Sequence, residues 1–501
     1  MNNKLKDIIP IITLSLPLII VLSITLKEYS LKLYNNNNNN NNGIRNLSEI
    51  GQHKDLLPLD SSDVWGTIFV GLGLLVAASG GVGGGGILVP LLIGVFGFHP
   101  KYAIPLSNFT IVGSSITNMI MNLVKRHPDA DRPLVDWDLI VVMEPLTMAG
   151  AIVGAFIGKL LPDWILVSSL VVLLAYTTYG TLEKAFSQYA KETKELENAK
   201  KSVLAQVNNK EIEMVEEAES KSLLGNQDDD ESESNDNEEK DLSSLSLNER
   251  KLQEILEQEK STPIFEVQVM SSMIGAVIVL NLIKGGGHKF PSPVGIVCGS
   301  NVYWMVTFAT FVMIVFVSLW MRNRLIAKWR LKAEVGYKYI KGDIEWTERN
   351  TIIFPCICFF AGFFAGMFGI GGGIVKGPLM LQMGVHPMVA SGTVAVMIMF
   401  TSLAATTMFM AFGTLTFDYG IFLFIIGLIC TSVGQYGVSY LVDKYKRYSY
   451  ISFSIGAVVA ISTVLMTIQS ILTLVDNQES GAPKDTNICN VIKLKILNIL
   501  L

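Results

Sequence analysis

"GMFGIGGGIVKGPLMLQMGVHP" (Gly366–Pro387) is apolar enough for lipid, yet it carries a run of glycines and a lysine. An earlier stretch, "GGVGGGGILVPLLIGVFGFHP" (Gly80–Pro100), has the same build without the lysine. Glycine weakens a helix by about 1 kcal/mol relative to alanine, so several in succession form a break. A break in hydrocarbon strands backbone N–H and C=O groups unless it lines a cavity or is buried in protein. Both stretches therefore predict interrupted helices at membrane depth.

The two stretches also superimpose. Gly84-Gly85-Gly86 falls on Gly371-Gly372-Gly373. Thirteen residues after the last glycine stands a histidine, His99 in one copy and His386 in the other. Each is followed by proline and preceded at two residues by glycine. Without a gap, Ala103 meets Ala390 and Ser114-Ser115 meets Thr401-Ser402; past a small gap, Gly154 falls on Gly434. Two such clusters at one spacing, each opening a block of three spans, predict an internal duplication.

Composition sets the class. The chain has 501 residues, half of them hydrophobic, 17% charged, with mean hydropathy +0.42. Soluble domains carry about 25% charged residues. Most of the charge sits in three polar segments, so the chain reads as an all-α polytopic membrane protein. The formal charge of −5 describes the loops. The five cysteines show no metal-ligand spacing, and Cys356 and Cys358 read as packing residues. No cofactor, metal or nucleic-acid partner is called for.

A span needs roughly 20 apolar residues. Residues 1–63 hold Lys4 and Lys6, an apolar run from Ile8 to Leu26 and eight successive asparagines from Asn35. The run reads as a signal peptide or signal anchor, and the asparagines point to a eukaryotic source. Asn46-Leu47-Ser48 is a glycosylation sequon, usable if this segment is lumenal or extracellular. The first membrane block, 64–182, predicts spans at 64–79, 102–123, 139–161 and 164–182, with a short apolar piece at 87–98. An insert follows at 183–262. Its start reads as an exposed helix, and Asp228–Asp241 as a disordered acidic tether or a site for a cytosolic protein partner. Residues 263–350 hold two linking spans, 264–283 and 303–321, and a basic stretch from Arg322 to Arg349. The second block, 351–475, predicts spans at 351–368, 388–412, 417–441 and 448–474, with a short piece at 374–384. A tail, 476–501, ends the chain.

Cytoplasmic loops are rich in Lys and Arg. The candidates are the 125–132 turn, the insert, the 322–349 stretch and Lys444-Lys446-Arg447. If each broken piece dips in and returns, all four fall on one face and Asn46 on the other. The expectation is two inverted repeats, each a glycine-broken re-entrant hairpin plus three spans, joined by two linking spans. Many secondary transporters share that arrangement, with substrate held near the midplane at broken helices.

The chemistry follows from helix ends. A half-helix N-terminus presents free N–H groups and about half a positive charge. Glycines let a ligand approach that backbone closely. Candidate substrate-binding residues are Gly84, Gly85, Gly86, Ser107, Asn108, Ser114 and Ser115, with Gly371, Gly372, Gly373, Lys376, Ser391, Thr393, Thr401 and Ser402. They would suit a small anion. Lys376 stands where the first copy has Val89. It either neutralises a substrate or snorkels or pairs with an acid. Glu144 either carries a coupling proton, pairs with Lys376, or lies at the interface with Asp136 and Asp138. His99 and His386 either relay protons or cap their turns. "GIGGGIVKG" lacks the G-K-[ST] ending of a phosphate loop, and no hydrolase motif lies in a span, so an enzyme is not expected.

The duplicated break with its downstream G-x-H-P resembles the sulfite exporter TauE/SafE family of membrane permeases. The likeness covers 64–182 and 351–474, and is most specific at Gly83–Pro90 with His99-Pro100 and at Gly369–Pro378 with His386-Pro387. It implies a transporter of sulfur-containing anions such as sulfite or sulfonates, in the plasma membrane or an endomembrane. The N-terminal extension and acidic insert depart from the compact bacterial pattern and look like features of eukaryotic members. Two other classes fit the sequence less well: a membrane scaffold or receptor acting through the insert, and a passive anion channel.

Overall fold

The computed structural model describes residues 56, 61–78, 84–220, 247–286, 291–340, 342–445 and 449–476. The N-terminal apolar run, the Asn46 sequon, Gly80–Gly83, the acidic tether and the tail from 477 lie outside them. Thirteen helices fill the described residues, and no strand occurs among them. The first repeat region comprises α1 (Ser61–Ala78), α2 (Gly85–Gly94), α3 (Pro100–Leu123), α4 (Trp137–Leu160) and α5 (Asp163–Ser220). Then come α6 (Leu247–Glu259), α7 (Ile264–Lys284) and α8 (Asn301–Glu334). The second repeat region comprises α9 (Asn350–Phe368), α10 (Gly373–Gln382), α11 (Pro387–Ala411), α12 (Phe417–Tyr445) and α13 (Ser449–Asp476).

Eight helices are long and apolar enough to cross a membrane. The chain is a multi-pass integral membrane protein. Two helices outrun their expected spans. α5 continues through "LEKAFSQYAKETKELENAKK" because that segment has good helix formers and neither Gly nor Pro. α8 continues into the basic stretch for the same reason. α3 was expected as a span but is too polar to stand against lipid. Ser107, Asn108, Thr110, Ser114, Ser115, Thr117, Asn118 and Asn122 all lie buried along it. It is an interior helix, as is α11, whose most apolar window is wholly buried. Lipid-facing residues sit on α5, α8 and α12, where Val172, Phe308 and Val433 are among the exposed apolar side chains.

The two repeat regions interlock by exchange. α4 packs on α9, and the corresponding α12 packs on α1. Both pairs run parallel and meet through glycines. A Cβ built on Gly154 would stand 1.9 Å from the Phe363 carbonyl oxygen, and one on Gly434 2.4 Å from that of Leu75. Without side chains at these positions the backbones approach closely enough to replace hydrophobic drive with van der Waals contact. The central pair α3 and α11 runs antiparallel: Gly392, at the start of α11, adjoins Asn122, at the end of α3. So does the pair α5 and α13, where Thr178 meets Thr463 and Phe186 meets Phe453.

Two end faces result. On one, Lys125 donates to Ser439, Arg126 to the Lys260 carbonyl, and Ser449 to Glu192. Arg132 pairs there with Asp343, and Lys328 with Asp138. The 125–132 turn, the described ends of the insert and the 322–349 stretch meet on this face. At the other, Tyr419 donates to Asp63, and Lys159 to the Phe412 carbonyl.

Candidate functional site

The glycine clusters build helix ends as their composition requires. Gly84 and Gly372 precede α2 and α10 in the left-handed region, at φ 74° and 77°, a conformation that disfavours any residue with a Cβ. Neither offers a side-chain cap. Among the described residues, the amides of Gly85, Gly86, Gly373 and Ile374 donate to no acceptor, although all four residues are buried. Buried amides without partners are rare in folded proteins. Pro90 and Pro378 fall in the second turn of their half-helices.

The two ends face each other. A Cβ on Gly85 would stand 2.6 Å from the backbone of Ile370, and one on Gly86 2.3 Å from Ile374 Cδ1 and 2.7 Å from Ser462 Oγ. Ser107 Oγ donates to the Gly369 carbonyl at 2.8 Å, tying α3 of the first region to the break of the second. In this conformation the breaks touch, and no room for a ligand separates Gly85 from Ile370.

Beside the second break lies a buried charge pair. Lys376 Nζ donates to Glu144 Oε2 at 2.7 Å and to Thr401 Oγ1 at 2.7 Å; Thr401 donates to Glu144 Oε1. Both charged side chains have no solvent exposure. The lysine curls back over the break, so that a Cβ on Gly372 would stand 3.8 Å from Nζ. Lys376 thus pairs with an acid and does not snorkel. Glu144 lies two turns inside α4, away from the interface where Asp136 and Asp138 sit. The positive helix end and the ammonium lie side by side; the Glu144 carboxylate neutralises the ammonium, and the helix-end amides keep no acceptor.

The remaining expected residues divide. Asn108 donates to the Ile104 carbonyl, and its buried Oδ1 has no partner. Ser114 turns toward Gly427 on α12, and Ser115 and Ser402 bond carbonyls of their own helices. Thr393 accepts from the Asp136 amide at 3.0 Å, which puts it and Ser391 at the basic face, about 12 Å along α11 from Thr401. The histidines stand at the far ends of the half-helices, apart from the charge pair. His99 stands at the N-cap position of α3, makes no side-chain cap hydrogen bond there, and is exposed. His386 accepts from the Met388 amide, capping α11, and its ring lies 6.0 Å from that of His127.

Sequence reasoning did not foresee the basic-face seam. A cavity of about 760 Å³ opens there between α4, α6, α8 and the 339–346 segment. Lys332 pairs with Glu259, which also accepts from Tyr337, fastening α6 to the bundle. Burial and the Arg132 guanidinium push His127 down to about 4. Burial and the Asp138 carboxylate push Asp136 up to about 6. Only the high density of both signs in the 125–138 and 322–349 stretches hinted at this seam.

The family model described as "Sulfite exporter TauE/SafE" matches residues 66–207 and 269–475, well over half of the chain. The chain belongs to the sulfite exporter TauE/SafE family. Both glycine breaks and the Lys376–Glu144 pair fall within the matched residues. Sulfite exporter TauE/SafE family protein 2 of Arabidopsis thaliana is 28% identical over 428 residues, covering 83% of this chain and 85% of its own. Family protein 3 of the same plant is 28% identical over 403 residues, covering 80% and 77%. Family protein 5 is 25% identical over 415 residues, covering 82% and 84%. No solved structure matches the chain significantly.

Proposed function

We propose that this TauE/SafE protein is a secondary transporter of small anions, sulfur-containing ones foremost, working by alternating access. The observation that carries the reading is the Lys376 ammonium held over an uncapped half-helix end, against the matching end of the other repeat. Unpartnered buried amides and a buried cation recognise negative charge by hydrogen bonds and Coulomb attraction, and neither does useful work in a catalytic scheme on its own. The antiparallel α3–α11 and α5–α13 pairs support inverted repeats, with the basic face toward the cytosol.

The closed contact between Gly85 and Ile370 favours a transporter over an open channel. A solute reaches the helix ends only when the repeats shift, and such shifts expose one face at a time. The membership in a family named for sulfite export supports sulfur oxyanions or sulfonates as cargo. The test is a flux screen of purified protein in proteoliposomes with sulfite, thiosulfate, sulfate and methanesulfonate. Saturable uptake of at least one is expected, lost in Lys376→Ala and in Gly372→Val that remain folded. Absence of uptake of every anion defeats the reading; normal uptake by either variant defeats the site.

A further inference from the structure

The resting site already holds an anion, and that anion is part of the protein. Glu144 occupies both side-chain donors beside the second break, Lys376 Nζ and the Thr401 hydroxyl. Lys376 and Glu144 are each fully buried, and together they carry no net charge. A solute that displaces the carboxylate without any compensating charge leaves two anions and one cation in a low-dielectric interior. An unpaired buried charge is the state that folded proteins avoid most strongly.

We propose that Glu144 is the coupling group of this transporter: it takes up one proton as the substrate anion replaces it on Lys376, and returns the proton when the anion leaves. The inference rests on the transport reading above. Binding then adds one proton and one anion together. For a monovalent anion the loaded site stays neutral; for a divalent one it carries a single negative charge. The process is symport, and the side from which the proton comes is set by which face the repeats expose.

Among the described residues, no second carboxylate faces Lys376 beside Glu144. Lys376 approaches from α10 and Thr401 from α11. α9 brings the buried thiol of Cys358, which lies near both charges. α8 brings Lys328, but to Asp138 at the basic end of α4. α7 brings Glu266, which faces Arg324. The first repeat has Val89 in the place of Lys376, so the duplication supplies one such pair and one coupled proton per cycle.

Strong-acid anions give the clean test, because they carry no proton of their own. Proteoliposomes are loaded with a pH dye, and uptake of methanesulfonate and thiosulfate is followed with the membrane potential clamped. One proton is expected to enter with each anion. A gradient of one pH unit should accumulate methanesulfonate about tenfold, independent of potential. Thiosulfate uptake should move one net negative charge per cycle. In Glu144→Gln, accumulation by the proton gradient should disappear and residual counterflow should lose its pH dependence. Anion movement without protons overturns the coupling and leaves the transporter standing. Proton-driven accumulation that survives in Glu144→Gln places the titrating group elsewhere and overturns the assignment. No movement of these two anions, nor of sulfite or sulfate, in wild-type protein overturns both readings. The stoichiometry is measured on the wild-type chain, so a variant that fails to fold does not leave the proposal unsettled.

Discussion

Lys376 and Glu144 stabilise the fold only as a pair. Lys376→Met leaves a buried carboxylate with Thr401 as its remaining donor, and breaking such a pair from one side costs about 3–5 kcal/mol. The double variant Lys376→Met/Glu144→Gln removes both charges and should recover most of that loss. Thermal unfolding in detergent checks this: a double variant no more stable than Lys376→Met would mean the loss is one of packing rather than unpaired charge. His127 gives a second residue-scale prediction, of opposite chemistry. Its folded pKa, about 4, lies below its ordinary 6.5, so the fold favours the neutral ring. That contribution is complete above pH 6.5 and is lost as pH falls toward 4. His127→Asn should therefore flatten the fall of melting temperature across that window relative to wild type. An unchanged slope would show that the histidine does not contribute. Lys376 was legible in the sequence as a lone cation in an apolar stretch. Its pairing with Glu144 was one of three readings left open for that carboxylate, since no spacing rule links residues 232 positions apart in the chain.

At the scale of elements, the parallel contact of α4 and α9 depends on glycine. Gly150, Gly154, Gly362 and Gly366 each place backbone where a Cβ would fall within about 2 Å of a carbonyl oxygen on the other helix. Gly154→Ala should force the helices apart and destabilise by at least about 1–3 kcal/mol, the usual range for overpacking. Gly275, in α7, supplies the control, because nothing lies within 4 Å of its Cβ position. Gly275→Ala should be neutral or raise the melting temperature, since alanine favours helix by up to about 1 kcal/mol. Equal losses in the two variants would mean that close approach is not what Gly154 provides. The helices themselves were legible almost residue by residue, because hydropathy and the Gly and Pro breaks fix where they begin. The length of α8 was missed because a span estimate stops at the lipid boundary, whereas helix propensity does not; for α5 the helix past the span was expected, but not its continuity with the span. Which faces touch was not legible, except that Gly154 and Gly434 already aligned; the structure gives that alignment its reason, two equivalent crossings of one repeat on the other.

For the whole molecule, the decisive property is sidedness. The 125–132 turn, the ends of the insert and the 322–349 stretch lie far apart in the chain, yet ion pairs and hydrogen bonds join them on one end face. The opposite end carries Asp63, Tyr419 and Lys159 with their partners. We propose that the basic end faces the cytosol, as the charge bias of membrane insertion favours. Only re-entry at both breaks reconciles that placement with the order of the helices, because a full crossing at either break would carry the later basic loops to the other side. Single cysteines introduced at Asp131 and at Glu348, in a background where Cys356 and Cys430 are serine, test this in sealed right-side-out vesicles. Both should resist a membrane-impermeant maleimide until the membrane is permeabilised, while a cysteine at Val294 should react at once. Opposite behaviour of the Asp131 and Glu348 positions would break the inverted arrangement. It would also separate the two half-helix ends from the shared midplane on which the proposed anion binding at Lys376 depends.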